Sequence, residues 1–222
     1  MIRTIFFDMG GTLDGEGHWL ERFLALYKSF GLELRRATIR EAFDAAEQNS
    51  AGDEEMPTSS LEEMVKKHVR WQLQHLGLTN PELEAHLVNG FLDPTIETIA
   101  ENARLLESLA ERGFTLGVIS NGCGNVARLC EDFGYAPFLS LIVDSRRVGL
   151  SKPDPAIYCY AAGKIGGDPE TMLMVGDSLE RDIVPAKKIG MKTAWFGEGD
   201  CPDRSAVDLR LQRLAELPAL LR

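Results

Sequence analysis

The 222-residue sequence has few cysteines, few histidines and no long apolar run. Its four cysteines are scattered, without a CxxC pair or a zinc-ligand spacing, so no zinc site or disulfide framework is indicated and the thiols are expected to be reduced. No apolar stretch approaches the length of a membrane span. The N-terminus lacks the apolar segment and cleavage site of a secretory signal. These absences predict a cytoplasmic protein without a membrane partner.

Basic residues are also in the minority. The 24 lysines and arginines stand against 34 aspartates and glutamates, which gives a formal net charge of −10. This excess of negative charge disfavours nucleic acid as a partner, although a local pocket can still oppose the overall sign and bind an anionic substrate. The hydrophobic fraction of 44% is typical of a globular protein with a sizeable core. We expect a monomer or a weak homodimer.

The stretch from residue 5 to residue 13 organises the rest of the chain. Its first residues are β-branched or aromatic and predict a buried strand that ends at Asp8. Gly10 and Gly11 follow, and glycines allow a sharp turn and a close approach of the backbone to a ligand. Ligands of open α/β sheets bind at the carboxyl ends of the strands. The pattern is compatible with an ordinary strand and turn, but it also predicts a carboxylate at a binding edge.

The remaining chain divides into two parts. Residues 15–92, which we call the helical insertion, show helical periodicity at 19–30, 37–48, 61–76 and from residue 81, with a loop predicted at 49–60. Strand and helix patterns alternate afterwards, including helices at 100–111 and 206–221. Such alternation predicts a mostly parallel sheet covered on both faces. We therefore predict an α/β fold with a Rossmann-like core (residues 1–14 and 93–222) and a helical bundle over its strand ends.

Further polar groups follow the predicted strands. Ser120 and Asn121 end the second strand, Lys152 precedes a helix, and Asp177 follows a later strand with Asp182 five residues on. Each has an ordinary interpretation as a polar turn or a solvated charge. Parallel strands, however, bring all of these positions to one edge of the sheet, near Asp8.

Two carboxylates on neighbouring strands imply a cation. Asp8 and Asp177 would repel each other unless a positive charge lies between them. Hard oxygen ligands of this kind suit Mg²⁺, which binds through one or two carboxylates together with phosphate and water. The sequence therefore predicts a Mg²⁺ site at this edge.

The ordered motifs resemble those of the haloacid dehalogenase-like hydrolase superfamily. They are Asp8-x-Gly-Gly-Thr-Leu, Ser120-Asn121, Lys152-Pro153 and Gly176-Asp177-Ser178 with Asp182. The run after Ser151 and the stretch 174–191 are especially similar to the phosphatase branch, and the resemblance covers the whole chain. It implies a Mg²⁺-dependent phosphatase of small phosphorylated metabolites, with residues 15–92 as a helical cap domain.

The resemblance also implies a role for each motif residue. Asp8 would be the nucleophile that becomes a phosphoaspartate. The metal ligands would be Asp8, Asp177 and the backbone carbonyl of Gly10. The groups around the phosphoryl oxygens would be Thr12, Ser120, the Asn121 backbone and the catalytic lysine, Lys152. Asp182, together with Ser178, would support the metal or orient the lysine without touching the substrate.

One position departs from the family pattern. The phosphatase motif usually carries a second aspartate two positions after the nucleophile, which protonates the leaving oxygen and later activates water, and here that position is Gly10. Asp14 or Glu16 could substitute in part. A dehalogenase, a phosphonatase or a catalytically impaired binding protein of the same fold therefore stay open as alternatives. Asp177 favours the phosphatase over the dehalogenase, and the lysines of the insertion lack the phosphonatase context.

The four histidines all lie in the insertion, at His18, His68, His75 and His86. We interpret them as ordinary helix-face residues in preference to a metal cluster, and none falls in a motif of the core, so the chemistry is not expected to depend on imidazole. The identity of the substrate cannot be read from the sequence, because the loops and helices that select it follow no readable code.

Overall fold

A single parallel sheet forms the centre of the molecule. The computed structural model describes residues 1–15, 17–197 and 203–221. In this part of the chain the sheet has six strands: β1 (Thr4–Phe7), β2 (Thr115–Ser120), β3 (Leu139–Asp144), β4 (Met172–Gly176), β5 (Lys192–Phe196) and β6 (Leu209–Leu211). The spatial order is β3-β2-β1-β4-β5-β6, and all neighbours are parallel. This is the strand order of the doubly wound Rossmann-type fold.

Four helices connect β1 to β2. They are α1 (Trp19–Ser29), α2 (Arg36–Gly52), α3 (Leu61–His75) and α4 (Pro81–Glu111). The start of α3 is a capping box, in which Glu63 N–H donates to Ser60 Oγ and Ser60 N–H donates to Glu63 Oε2. No helix of the described ranges is long and apolar enough to cross a membrane.

Helices cover both faces of the sheet. On one face α4 packs against β2, and α5 (Val126–Asp132) packs against β3. On the other face lie α7 (Pro155–Ile165) and α8 (Val184–Lys188), while the short α6 (Ser145–Val148) follows β3 directly. The side chains of β1 alternate between the two cores, so the apolar run of β1 is buried throughout. Burial on both faces explains why the strands read as continuous apolar runs.

The structure joins two helices that the sequence separates. We predict separate helices from residue 81 and at 100–111, but α4 is one helix of 31 residues with Pro94 inside it. Proline interrupts helical hydrogen bonding, since it has no N–H. Here the carbonyl of Phe91, beside the interruption, accepts hydrogen bonds from Arg22 Nη2 and Thr95 Oγ1. Side chains of α1 and α4 thus bind the backbone in the turn before the proline, and the helix continues through it.

Two further sequence predictions are wrong. The predicted loop at 49–60 is shorter, because α2 continues to Gly52 while packing against α3, and Met56–Thr58 form a 3₁₀ turn. The predicted helix at 206–221 is instead β6, a 3₁₀ turn at Leu214–Glu216 and the short α9 (Leu217–Leu220). The buried leucines of this segment mimic a helical spacing. Pairing with β5, however, satisfies backbone groups that a helix would leave exposed at the sheet edge.

Candidate active site

The acidic motif residues follow the two central strands. Asp8 comes directly after β1 and Asp177 directly after β4, and these strands pair in register, with Phe7 opposite Val175. Ser120 is the last residue of β2, on the other side of β1. The strand order reverses at β1, and ligands of this fold class bind at such a switch point. The topology therefore brings the first, second and fourth motifs together.

The first loop brings Asp177 very close to the backbone after β1. Gly11 has a φ of 83°, a conformation that favours glycine. A Cβ atom at Gly11 would lie 2.7 Å from Asp177 Oδ2. The second glycine of the motif thus allows both the turn and the approach of the carboxylate.

Lys152 lies between two carboxylates. Its Nζ is 2.6 Å from Asp8 Oδ1 and 2.6 Å from Asp182 Oδ1, and its side chain is only 3% exposed. Burial on its own would lower the pKa of Lys152, but the charges of Asp182 and Asp8 outweigh it and the pKa is raised. The site therefore holds an ammonium group against the predicted nucleophile.

Two side chains hold the backbone around this ion pair. Asn121 Nδ2 donates to the carbonyl of Lys152, and the Lys152 N–H donates back to Asn121 Oδ1, both at 2.8 Å. Asp182 Oδ2 accepts the Ser178 N–H at 3.1 Å, and Ser178 Oγ accepts the Arg181 N–H. The Asn121 side chain thus positions Lys152. The backbone of Asn121 is the part that the resemblance assigns to binding of the phosphoryl oxygens.

Three carboxylates form a cluster that fits a metal ion. One oxygen each of Asp8, Asp177 and Asp182 lies within 4.8 Å of the others. Asp177 Oδ1 is buried and has no hydrogen-bond partner in the described ranges. Burial, and then the charges of Asp8 and Asp182, raise the pKa of Asp177 to about 8. An unpartnered oxygen among repelling carboxylates is the environment that a hard divalent cation stabilises.

A cavity of about 130 Å³ opens above Asp8. From the core it is lined by the predicted residues Asp8, Gly10, Ser120, Asn121 and Lys152, together with Arg181. Its opposite wall consists of residues of the helical insertion. The cavity therefore lies between the strand ends and the insertion.

Asp14 belongs to the same cavity, and it is buried. Its carboxylate accepts hydrogen bonds from the Gly11 N–H at 2.7 Å and from Trp19 Nε1 at 2.8 Å. Burial raises the pKa of Asp14 to about 6, although both hydrogen bonds and the charge of Arg22 oppose the rise. The second predicted substitute, Glu16, lies outside the described residues.

Thr12 is placed differently from its predicted partners. It is buried, and among the described residues it lines a separate small pocket beside Asn102. Its hydroxyl has no hydrogen-bond partner in that part of the chain. Its place among the phosphate-binding groups stays a prediction.

Several cavity residues were missed in the sequence analysis. Glu47 and Ser50 of α2 and Arg181 of the core line the cavity, and so do His18 and His68. His68 lies on the inner face of α3 and is only 1% exposed. No local signal identifies these positions, since only the packing of the insertion onto the core places them near Asp8.

Known proteins are similar to this chain in sequence and in fold. The model of the haloacid dehalogenase-like hydrolases matches residues 2–190. Glyceraldehyde 3-phosphate phosphatase of Methanopyrus kandleri is 29% identical over 219 residues, which cover 91% of this chain and 87% of that protein. Phosphoserine phosphatase of Thermus thermophilus is 30% identical over 209 residues, covering 89% and 72%. A solved dehalogenase with an intermediate complex matches with a TM-score of 0.68 at 18% identity, covering 99% and 97%, which shows the fold.

The fold and the site thus define a hydrolase built on a Rossmann-like sheet. The chain belongs to the haloacid dehalogenase-like hydrolase family, as its match over most of its length shows.

Removing the buried lysine is expected to destabilise the protein. Lys152→Met leaves Asp8 and Asp182 buried without their cation, and breaking a buried pair in this way costs about 3–5 kcal/mol. The pKa of Asp182, which burial raises to about 6 and Lys152 lowers, should rise further in the variant, so part of the lost stability should return as the pH falls and this carboxyl becomes protonated. Urea unfolding in EDTA at pH 7 and pH 5 measures both effects. Adding Asp182→Asn to Lys152→Met should restore part of the lost stability. A loss of less than about 1 kcal/mol in Lys152→Met would contradict the assignment of a buried ion pair.

Proposed function

We propose that the protein is a Mg²⁺-dependent phosphatase of small phosphorylated metabolites that acts through a phosphoaspartate on Asp8. The observation that carries the proposal is the buried Lys152 ammonium, 2.6 Å from Asp8, beside a carboxylate cluster with an unpartnered Asp177 oxygen. Phosphoryl transfer requires positioning and charge stabilisation more than any other contribution. The phosphatase names of two relatives support the same reaction.

Each residue of the site has its own role in the proposed phosphoryl transfer. Asp8 attacks phosphorus, a carboxylate–phosphorus bond forms and the bond from phosphorus to the leaving oxygen breaks. Lys152 offsets the negative charge of Asp8 and of the phosphoryl group, and Asp182 holds the lysine in place. The Ser120 hydroxyl and the Asn121 backbone, which line the cavity, orient the phosphoryl oxygens. Water then attacks phosphorus, which releases phosphate and regenerates the Asp8 carboxylate.

Asp8, Asp177 and the carbonyl of Gly10 would hold the Mg²⁺ ion. When bound, the ion would supply positive charge that lets the carboxylates and the phosphoryl group approach one another. Asp182 supports this arrangement from behind, through Lys152 and the backbone of Ser178.

Asp14 is our proposal for the acid and base that Gly10 does not supply. Its carboxyl group lines the cavity with Asp8, and the Trp19 indole that it binds would also lie 3.8 Å from a Cβ atom at position 10. The side chain of the usual aspartate would thus extend into the region that Asp14 already reaches. Asp14 gives its proton to the leaving oxygen and recovers one from the attacking water.

The pH dependence of turnover tests this role. For alkyl phosphates, whose leaving oxygen needs the proton, kcat/KM should fall as the pH rises through about 6, the pKa of Asp14. For aryl phosphates, where hydrolysis of the phosphoaspartate limits turnover, kcat should rise through the same pH. Asp14→Asn should abolish both transitions and lower turnover by about 10²–10⁴-fold. Trp19→Phe removes a hydrogen bond that lowers the pKa of Asp14, so both transitions should move to higher pH. Unchanged transitions in Asp14→Asn would refute the role of Asp14 as acid and base.

We also propose that residues 15–92 act as a cap domain over a core of residues 1–14 and 93–222. The cavity between them is small, and access to Asp8 passes the residues of the insertion. A lid of this kind excludes water while the reaction proceeds.

A substrate screen tests the proposed function directly. About a hundred phosphorylated metabolites, a scale suited to a broadly selective site, are assayed for phosphate release with Mg²⁺ and with EDTA. Haloacids are assayed for halide and phosphonates for phosphate in parallel. Mg²⁺-dependent phosphate release from esters supports the proposal, whereas halide release alone, or no product, would replace it with the dehalogenase or the impaired binding protein.

A further inference from the structure

A hydrogen-bonded line of side chains runs through the helical insertion to the cavity. Tyr27 Oη donates to Gln72 Oε1 at 3.3 Å, and Gln72 Nε2 lies 2.8 Å from His68 Nδ1. His68 Nε2 lies 3.1 Å from Glu47 Oε1. Because an amide nitrogen can only donate, His68 Nδ1 accepts and its proton lies on Nε2, which donates to Glu47. Every donor in the line therefore points toward the Glu47 carboxylate.

The line is rigid except at its end. Tyr27, Gln72 and His68 are buried, and the His68 ring stacks on Phe23 with an interplanar angle of 6°. The Glu47 side chain, in contrast, is 55% exposed and lines the cavity. Buried side chains thus fix one oxygen of a carboxylate that a ligand can reach.

The second oxygen of Glu47 has no hydrogen-bond partner among the described residues. Ser50, one helical turn further along α2, lines the same cavity, and its buried hydroxyl also has no partner there. Two polar groups on one face of α2 thus meet the cavity unsatisfied. Buried polar groups are normally paired, so the Ser50 hydroxyl points to a group that a ligand supplies, and the free oxygen of the exposed Glu47 carboxylate is open to the same ligand.

The charges around Glu47 favour its ionised form. Desolvation by the surrounding protein would raise the pKa of Glu47, but the hydrogen bond from His68 and the charge of Arg181 oppose it, and the pKa is lowered. Arg181 lines the cavity from the core, yet it forms no ion pair with Glu47 in the described ranges. The carboxylate is therefore an acceptor that no described side chain of the protein neutralises by contact.

We propose that Glu47 is a specificity-determining residue that binds a hydrogen-bond donor, a hydroxyl or an ammonium group, on the leaving group of the substrate. His68 is its positioning residue, and the size of the cavity restricts the leaving group to a few carbon atoms. The substrate class is then small phosphate esters of polyols or amino alcohols, and esters with a purely apolar leaving group are poor ligands. This inference rests on the phosphatase function proposed above.

The kinetic experiment compares three probes: glycerol 3-phosphate, 2-aminoethyl phosphate and propyl phosphate. Glu47→Gln keeps the size of the side chain and an acceptor for His68 but removes the charge. It should lower kcat/KM by about 10–100-fold, chiefly through KM, for the hydroxyl probe, the ammonium probe or both, as expected for a hydrogen bond to a charged group. Propyl phosphate should be unaffected. Asp44→Asn, an exposed acid on α2 that does not line the cavity, is the matched control.

His68 is tested by a pair of variants. His68→Leu removes the donor to Glu47 and should raise KM for the donor-bearing probe by about 10-fold, while His68→Gln, which keeps an N–H near Nε2, should restore most of the affinity. A merely structural role would change all three probes alike. A loss in Glu47→Gln for one donor-bearing probe identifies its donor, and equal kinetics for all probes would overturn the inference.

A binding experiment separates this inference from the proposed function. In an Asp8→Asn background no turnover is needed, and calorimetry measures the Kd of each probe with and without Glu47→Gln. A preference for a donor-bearing probe that disappears in Glu47→Gln supports the site even where the wild type releases no phosphate. Identical Kd values with and without Glu47 overturn it even where phosphatase activity is established.

Discussion

Asp8→Asn is expected to lower kcat/KM for every substrate by about 10⁶-fold, the effect of removing the nucleophile of a covalent mechanism. Asp177→Asn is expected to abolish Mg²⁺-dependent turnover for a different reason, since it removes a carboxylate from the cluster around Asp8. Asp8→Asn removes the nucleophile and a proposed metal ligand together, whereas Asp177→Asn removes only a proposed ligand, so Asp177→Asn tests the metal site separately. Phosphate release at saturating Mg²⁺ and thermal melts with and without Mg²⁺ measure both properties.

Thermal melts with and without Mg²⁺ measure metal binding independently of turnover. Mg²⁺ at about 100 times its Kd adds ~2.7 kcal/mol of stability, which raises the Tm of the wild type by about 5–10 °C. Asp177→Asn should lose this shift. In EDTA it should melt no lower than the wild type, because a carboxyl with a raised pKa destabilises the fold when ionised. Full activity of Asp177→Asn with an unchanged Mg²⁺ dependence would show that the metal assignment is wrong.

Gly10→Asp is expected to raise kcat/KM for alkyl phosphates, but by less than the about 10²–10⁴-fold that a general acid–base group usually contributes, because Asp14 already supplies part of that contribution. The kcat/KM for aryl phosphates, whose leaving groups need no proton, should gain less. The site accepts the side chain, because Gly10 has φ −73° and ψ 115° and the nearest atom to a Cβ there is Trp19 Nε1, 3.8 Å away. Rates for matched alkyl and aryl esters in the two proteins measure the difference.

The lifetime of the phosphoaspartate provides an independent check of the same idea. Because Asp14 replaces the usual aspartate only in part, the wild type should accumulate the intermediate, and acid quench with mass spectrometry should detect it. Gly10→Asp should shorten its lifetime. Absence of any steady-state phosphoenzyme, together with unchanged alkyl phosphate rates in Gly10→Asp, would contradict the hypothesis. A collapse of activity in Glu16→Gln, with full activity in Asp14→Asn, would move the acid from Asp14 to Glu16.

Local patterns predicted the elements that carry strong local signals. The apolar run before Asp8 and the alternation after the insertion predicted the α/β fold, because buried parallel strands must be apolar on both faces. The helical periodicity at 61–76 predicted α3, whose start is a capping box formed by Ser60 and Glu63, two neighbours in the chain. Asp8, Ser120, Lys152 and Asp177 were likewise recognisable, because parallel strands deliver their carboxyl ends to one edge.

Long-range contacts decided the rest. The sequence pattern places a helix boundary near Pro94, but α4 continues through it. Arg22 of α1 donates a hydrogen bond to the carbonyl of Phe91 in the turn before the proline. The spacing of the C-terminal leucines predicted a helix, but part of this segment forms β6, which pairs with the edge of β5.

The sequence by itself determined the family, the parallel sheet and the charged groups at its edge, because each depends on residues close together in the chain or on the fixed geometry of parallel strands. Only the tertiary structure decided which residues of the insertion meet those groups. Glu47 and Ser50 face the cavity because α2 packs on α3 and both lie over the strand ends. The line from Tyr27 to Glu47 likewise depends on the packing of three helices. Such a contact depends on the relative placement of whole elements, which no local pattern of residue types records.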